Sequence, residues 1–138
     1  MRTLFFIIAV SCILSCNTED QPGDVIMNRY EAVELILPRN SWKVEKFIQN
    51  GNNYTSEFAG IQFHFYEPDS LRAQLKDSST VVGSWRYQAI PGTIEQLNID
   101  LASPLAKISG EWRILDIMNS EIKLSKSERD TLVFGYFE

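Results

Sequence analysis

The chain has 138 residues, of which 18 are acidic and 13 are basic, so its formal net charge is −5. This acidity argues against nucleic-acid binding, for which a basic face is the expected footprint. After removal of a targeting segment, the remaining length suits one domain with a single hydrophobic core.

Residues 1–15 have the pattern of a secretory signal peptide. One basic residue, Arg2, precedes an apolar run from Leu4 to Leu14. That run is shorter than the roughly 20 residues of a membrane-spanning helix, and its length and basic start are typical of a signal peptide. The following motif, Ile-Leu-Ser-Cys at positions 13–16, resembles the lipobox of lipoprotein precursors. We therefore expect cleavage before Cys16 and attachment of diacylglycerol to its sulfur.

Residues 16–27 are predicted to form the lipidated cysteine and a flexible tether. The tether is acidic and contains turn-forming Pro22 and Gly23. Its Glu19-Asp20 pair loosely resembles a surface-export signal of Bacteroidota, although a solvated linker fits the same residues. Acyl chains contribute about 0.8 kcal/mol per buried methylene. We therefore expect the protein to be held at the outer membrane, on its periplasmic face or at the cell surface.

Residues 28–138 are predicted to form the folded domain, which begins with one short helix. Asn28 and Glu31 have the spacing of a capping box. Val33 and Leu37 then lie on one helical face. Pro38 is expected to end the helix because proline restricts the residue before it and cannot donate a hydrogen bond.

After the helix, apolar and polar residues alternate with a period of two, which is typical of half-buried strands. Eight such runs follow one another: Trp42–Ile48, Ile61–Tyr66, Leu71–Lys76, Val81–Gln88, Leu97–Leu101, Trp112–Ile114, Ile122–Leu124 and Leu132–Tyr136. Turn residues separate them, as at Asn50-Gly51-Asn52-Asn53. The fold class predicted is mainly β, an eight-stranded antiparallel up-and-down barrel with one short N-terminal helix. A two-sheet sandwich fits the same spacing.

A tryptophan signature occurs three times, as Asn40-Ser41-Trp42, Gly83-Ser84-Trp85 and Gly110-Glu111-Trp112. A basic and then an apolar residue follow each tryptophan. Glycine or asparagine permits a tight turn into a strand, so we expect each tryptophan to point inward and plug a barrel end. The alternative function for such residues is an aromatic platform for sugars.

With its helix, Trp-bearing first strand and Gly-x-Trp at the fourth and sixth strands, the sequence resembles the lipocalin-like lipoproteins of Bacteroidota over residues 30–137. The resemblance implies a calycin-type barrel and an inferred ligand-binding role. The chain departs from true lipocalins at Asn40, which replaces a glycine, and no arginine follows the last strand to pack across Trp42. These departures argue against a deep ligand cup.

The predicted interior is rich in aromatic side chains, each of which buries about 150–250 Å². An eight-stranded barrel is just wide enough to be filled by side chains or to hold one small ligand. We therefore expect a largely filled barrel with at most a shallow pocket at one mouth, and a small apolar or aromatic ligand. The candidate ligand-binding residues are Phe63, Phe65, Trp85, Tyr87 and Phe134, and Tyr136 shares their inward phase.

Residues for catalysis or metal binding are sparse. The one histidine, His64, lies in the polar phase of its strand and is expected to face solvent. Zinc ligands are not clustered, and neither a nucleophile elbow nor a phosphate-binding glycine loop occurs. We expect no metal, no cofactor and no enzymatic activity, the alternative being a carboxylate pair drawn from Glu95, Asp100 and Glu111.

The sequence thus predicts a membrane-anchored, non-catalytic binding module. The alternative is a solid barrel that acts as a protein-interaction or accessory subunit, in the manner of an inhibitor. Its contact surface would then include the outward residues Tyr66, Val82 and Val133.

Overall fold

The computed structural model describes residues 29–89 and 94–137, with side chains from residue 33 onward. The signal peptide, the lipidation site at Cys16, the tether and the Asn28 cap lie outside the described residues. The elements in chain order are α1 (Arg29–Ile36), β1 (Ser41–Gln49), β2 (Asn52–Asn53), the 3₁₀ helix η1 (Thr55–Phe58), β3 (Gln62–Tyr66), β4 (Ser70–Gln74), β5 (Thr80–Ala89), β6 (Glu95–Asp100), the 3₁₀ helix η2 (Ala106–Ile108), β7 (Gly110–Met118), β8 (Glu121–Ser127) and β9 (Asp130–Tyr136). Within these ranges, no helix is long and apolar enough to cross a membrane.

The strands form a closed antiparallel barrel, as predicted from the sequence. From β3 to β9 each strand pairs with the next, and β1 completes the ring by pairing with β9 and β3. The β1–β9 ladder has six residue pairs, whereas the β1–β3 ladder has two, Ser41↔His64 and Trp42↔Phe63. The closed ring excludes the two-sheet sandwich. The short strand β2, predicted as part of a turn, pairs with the end of β1 outside the eight-stranded ring.

Successive strands run in opposite directions, so the connections alternate between two barrel ends. We call one the helix end; it holds α1, the β3–β4 hairpin and the β7–β8 hairpin. We call the other the loop end; it holds β2, η1, the β4–β5 hairpin, the connection 101–109 with η2, and the β8–β9 hairpin. All three tryptophans lie near one or the other end.

Helix α1 closes the helix end, where it contacts β5 and β7. Its apolar face carries Val33 and Leu37, which are both 0% exposed, and the Leu37 N–H donates to the Val33 carbonyl at 3.1 Å. The helix stops at Ile36, just before Pro38, because proline restricts the residue that precedes it. The predicted helix is therefore confirmed.

Two bulges shift the alternation of the long strands. In β1 the register shifts between Val44 and Lys46, so the next buried residue is Phe47. In β7 it shifts between Ile114 and Asp116, so the next inward residue is Ile117, which packs against the core. An extra residue on one strand bends it and re-aims the side chains beyond. A strict period of two therefore holds only on each side of a bulge.

The inward phase predicted for Tyr136 is wrong, because its side chain is 44% exposed. Tyr136 is the last residue of β9 and pairs with Trp42, which is itself fully buried. At this rim the interior is already filled by Trp42 and α1. Tyr136 lies instead in a depression on the barrel wall beside Lys43 and Met118.

Candidate functional site

The five candidate interior residues lie in or against the core, where the rings pack against one another. Phe63 and Phe65 both contact Phe134, with ring centroids 5.4 and 5.8 Å apart, and Phe65 meets Trp85 edge-on at 5.7 Å. Tyr87 is half-buried at the margin of this cluster. Edge-to-face ring pairs of this kind fill space efficiently. The barrel interior is therefore largely filled, and ligand binding by these five residues stays a prediction.

The three tryptophans of the signature make the same kind of hydrogen bond. Each indole N–H donates to a backbone carbonyl at a barrel end. Trp42 donates to Leu37 at 3.0 Å, Trp112 to Ile108 at 2.7 Å, and Trp85 to Tyr66 at 2.9 Å, the last in the β3–β4 hairpin. A buried indole needs such a partner. Each tryptophan therefore fastens the connection that covers its own end of the barrel.

The glycines of the signature permit close approaches. A Cβ on Gly83 would lie 2.0 Å from the Asp100 carbonyl oxygen of β6. Gly110 has a φ of +120°, and a Cβ there would lie 2.8 Å from the Lys126 ammonium. A residue larger than glycine two positions before Trp85 or Trp112 would therefore clash with the Asp100 backbone or the Lys126 side chain.

Lys126 has a structural role that was not predicted from the sequence. Its ammonium lies 4.3 Å from the Trp112 ring and donates to the Ser109 carbonyl at 2.6 Å. Burial lowers the pKa of this lysine, and Asp130 opposes the shift. The signal was its phase, because Lys126 follows inward-facing Ile122 and Leu124 at the same spacing. A cation at the end of an inward row is a candidate to cover an aromatic ring.

Two short helices close the loop end. Phe58 of η1 packs edge-on against Phe47 at 5.2 Å, and Ile108 of η2 is 0% exposed beside Trp112. Lys107 joins the two helices, because its ammonium bonds both carboxylate oxygens of Glu57 at 2.7 and 2.8 Å. The same ammonium lies 4.4 Å from the Tyr54 ring. We call the Lys107–Glu57 pair the latch.

Beside the latch, a cleft opens at the loop end, which we call the mouth cleft. It has a volume of about 410 Å³. Five apolar residues line it from η1, the turn before β3, the β4–β5 hairpin and the 101–109 connection: Phe58, Ile61, Leu75, Pro104 and Leu105. Its polar rim is formed by Glu57, Lys76 and Asp77. The cleft lies at one mouth of the barrel, and none of its five apolar residues was named as a ligand contact from the sequence.

The rim groups of the mouth cleft are held in place. The Asp77 carboxylate accepts hydrogen bonds from the backbone and hydroxyl of Ser79 at 3.0 and 2.5 Å, which lower its pKa. The Lys76 stem lies over Gly60, where a Cβ would come within 3.2 Å of it. Because Glu57 is engaged in the latch and Asp77 is bonded to Ser79, both carboxylates of the rim are held beside the apolar floor.

The outward residues named for a protein contact divide into two kinds. Tyr66 is 44% exposed and Val82 is 62% exposed, as predicted. Val133 is only 7% exposed, so the prediction that it is available for a protein contact is wrong. It points outward from β9, but its register partners are Lys46 and Lys123, long side chains that cover apolar surface readily.

His64 is half-buried on the outer wall rather than freely exposed. Its Nδ1 lies 3.2 Å from the Ser41 hydroxyl, and its ring stacks on Tyr66 with centroids 6.2 Å apart. Among the residues that the structure describes, no group of three or more His, Cys, Asp or Glu side chains could hold a metal ion.

Fold and site together define a class: a closed eight-stranded up-and-down barrel with a capping helix, the architecture of lipocalins. Comparison with solved structures finds a crystal structure of a lipocalin-like protein from Bacteroides uniformis, with a TM-score of 0.47 and 16% sequence identity. The match covers 71% of this chain and 96% of that one. No family model and no curated protein matches the sequence. The assignment of the class therefore rests on the strand order itself.

Proposed function

We propose that this protein is a membrane-anchored lipoprotein whose barrel is a non-catalytic binding module for a small apolar or aromatic ligand. The anchor is the lipid on Cys16, in the outer membrane, and the ligand lies in the mouth cleft. The observation that carries the proposal is the apolar floor of this cleft, which interrupts an otherwise closed barrel end.

The mouth cleft suits a small ligand better than the barrel interior does. The interior rings are already in contact with one another, so a guest would have to displace them, and packed cores resist such changes. The cleft needs no such displacement. Its volume of about 410 Å³ falls within the usual range for small-ligand pockets, roughly 300–1,000 Å³.

The chemistry of the cleft restricts the ligand. Phe58, Ile61 and Leu105 are almost fully buried and form its floor, so the inserted part of the ligand is aliphatic or aromatic. Charges of both signs stand at the rim, at Lys76 and Asp77. A polar end of the ligand would remain at that rim in contact with water.

Native mass spectrometry of the full-length protein extracted gently from its own membranes tests this proposal. We expect a bound small molecule that denaturation releases. Leu75→Trp, which fills the cleft, should abolish its recovery, whereas the matched Leu115→Trp variant on the outer wall should retain it. Equal recovery from both variants, or no molecule from the parent protein, would contradict binding in the cleft.

The anchor is tested separately by Cys16→Ser. The parent protein should enter the detergent phase on phase separation, and its mass should include the lipid. The variant should remain in the aqueous phase, because it lacks the acyl chains that bind a membrane. Recovery of Cys16→Ser in the detergent phase would reject the lipoprotein assignment.

A second candidate function, contact with a protein partner, is favoured by the outer wall. Tyr66 is exposed there and is held between His64 and Arg72, whose guanidinium carbon lies 5.3 Å from its ring centroid. Exposed tyrosine and arginine are the residue types that most often dominate protein interfaces.

A further inference from the structure

The outer wall formed by β3, β4 and β5 differs in charge from the rest of the protein. These three strands contain neither Asp nor Glu, although the whole chain carries 18 acidic residues. They do contain two arginines, Arg72 and Arg86, both exposed. We call the outward residues of these strands the acid-free wall: Gln62, His64, Tyr66, Ser70, Arg72, Gln74, Thr80, Val82, Ser84 and Arg86.

The strand register places three outward side chains of this wall side by side, in one row across the strands. His64 of β3 pairs with Arg72 of β4, which pairs in turn with Val82 of β5. Val82 is 62% exposed, so the row runs from an imidazole through a guanidinium to an open apolar side chain. A partner lying across it would meet hydrogen-bond donors and an apolar contact side by side.

The side chains of the row are ordered before any partner arrives. Ser41 lies within hydrogen-bond distance of His64, His64 stacks on Tyr66, and Tyr66 supports the guanidinium of Arg72. An arginine that is already held on a ring loses less side-chain entropy when it binds. Its N–H groups remain available at the edge of the guanidinium plane for a carboxylate.

Neither arginine of the wall forms an ion pair with another described residue. Among the described residues, the ion pairs are Lys43–Glu45, Lys107–Glu57 and Lys123–Glu121, and neither Arg72 nor Arg86 takes part in one. Arg86 shares a cleft with Asp69, Asp100 and Glu111, whereas the register partners of Arg72 are His64 and Val82. The part of the wall around Arg72 is therefore complementary to an acidic partner.

We infer that the acid-free wall is a docking surface for an acidic segment of a partner protein. A carboxylate of the partner pairs with Arg72, and an apolar side chain packs on Val82. An anionic lipid surface is a weaker fit, because polybasic lipid sites use about four to eight cations. This inference deepens the second candidate function and is independent of the mouth cleft.

A peptide titration with the full-length lipidated protein in detergent micelles tests the inference. The probe is a short fluorescein-labelled peptide of alternating glutamate and leucine, followed by fluorescence anisotropy. We expect saturable binding that Arg72→Gln weakens by about tenfold or more, because the charge-assisted hydrogen bonds to the peptide's carboxylates are lost. The matched variant Arg113→Gln, on the exposed face of β7, should bind like the parent.

The role of Tyr66 gives a second readout. Tyr66→Phe keeps the ring beneath Arg72 and should bind normally, whereas Tyr66→Ala removes that support and should weaken binding several-fold. A glutamine-leucine peptide that binds as well as the acidic one would overturn the inference, and so would equal losses in Arg72→Gln and Arg113→Gln. Binding to phosphatidylglycerol vesicles but not to the peptide would overturn the assignment to a protein partner. The Leu75→Trp measurement reports on the mouth cleft alone, so either proposal can fail without the other.

Discussion

The two ends of the barrel are closed in physically different ways. At the helix end a continuous helix, α1, precedes β1 in the chain and buries Val33 and Leu37 completely. At the loop end two separate 3₁₀ helices are joined by an exposed ion pair, Lys107–Glu57. Apolar burial is worth several kcal/mol, whereas an exposed ion pair is worth about 0–1 kcal/mol. The loop end also buries Phe58 and Ile108, but in two separate short helices. The comparison therefore predicts that the helix end, closed by one continuous helix, resists local opening more than the loop end does.

The largest expected effect is at the helix end. Trp42→Ala removes a fully buried ring and leaves the Leu37 carbonyl without its indole donor. We expect a loss of about 3–5 kcal/mol in the free energy of unfolding, measured by urea denaturation. The control Leu115→Ala, at an exposed bulge, should change it by about 0.5 kcal/mol or less. A loss below about 1 kcal/mol for Trp42→Ala would show that α1 is not fastened as described.

At the loop end, Trp112→Phe keeps most of the ring but removes the hydrogen bond to Ile108. The buried carbonyl is then unsatisfied, so we expect a loss of about 1–3 kcal/mol. Trp85→Phe should cost less, because its partner, the Tyr66 carbonyl, is only partly buried. Urea denaturation of both variants checks this order, and a larger loss for Trp85→Phe would contradict it.

Asp130 provides a pH-dependent contact at the loop end. Its carboxylate accepts hydrogen bonds from the Asn50 N–H at 2.7 Å and the Ser127 hydroxyl at 3.0 Å, which hold its pKa below 3.8. This contribution is complete above the unfolded-state pKa and is lost as the pH falls through the lower folded-state pKa.

We therefore expect Asp130→Asn to lose at most about 1 kcal/mol at neutral pH, because the site is exposed. The difference from the parent protein should shrink as the pH falls below 3.8. Urea denaturation across the acid range checks this. A difference that stays constant down to the lowest pH would mean that the ionised carboxylate does not matter.

The smallest global effect is expected for the latch. Lys107→Met should change the free energy of unfolding by about 0.5 kcal/mol or less, because both partners are exposed. Amide hydrogen exchange in η1 and η2 should nevertheless become faster, since local opening is governed by local contacts. Lys123→Met, which breaks an ion pair on the barrel wall, is the control and should leave that exchange unchanged. Unchanged exchange in Lys107→Met would show that the two helices are held by their buried side chains alone.

Much of the barrel could be predicted because its signals are local. Alternation located the eight strands, and the spacing of Val33 and Leu37 located the helix. The inward positions of Trp42 and Trp112 could also be predicted, because their contacts are local. Their hydrogen-bond acceptors, the Leu37 and Ile108 carbonyls, lie only five and four residues earlier in the chain. Strand order then followed from the short connections.

The parts that escaped prediction depend on contacts distant in sequence. The sequence around Glu57 contains no pattern that predicts its pairing with Lys107, which lies 50 residues away. The apolar residues of the mouth cleft come from four separate elements, so no single pattern assembles them. Phe58 lies in a 3₁₀ turn between strands, where alternation gives no inward phase. The bulges in β1 and β7 likewise change the phase without a recognisable sequence signal.

The short strand β2 has a consequence for behaviour at high concentration. Because β1 meets β3 through two residue pairs only, the rest of that edge of β1 would offer unpaired backbone to another molecule. β2 pairs with Ile48 and Gln49, and the Thr55 hydroxyl accepts the Phe47 N–H at 2.9 Å. Exposed strand edges are templates for intermolecular β-pairing. The turn after β1 therefore covers the strand edge beside the β1–β3 junction, and so protects the barrel from intermolecular pairing where its ladder is shortest.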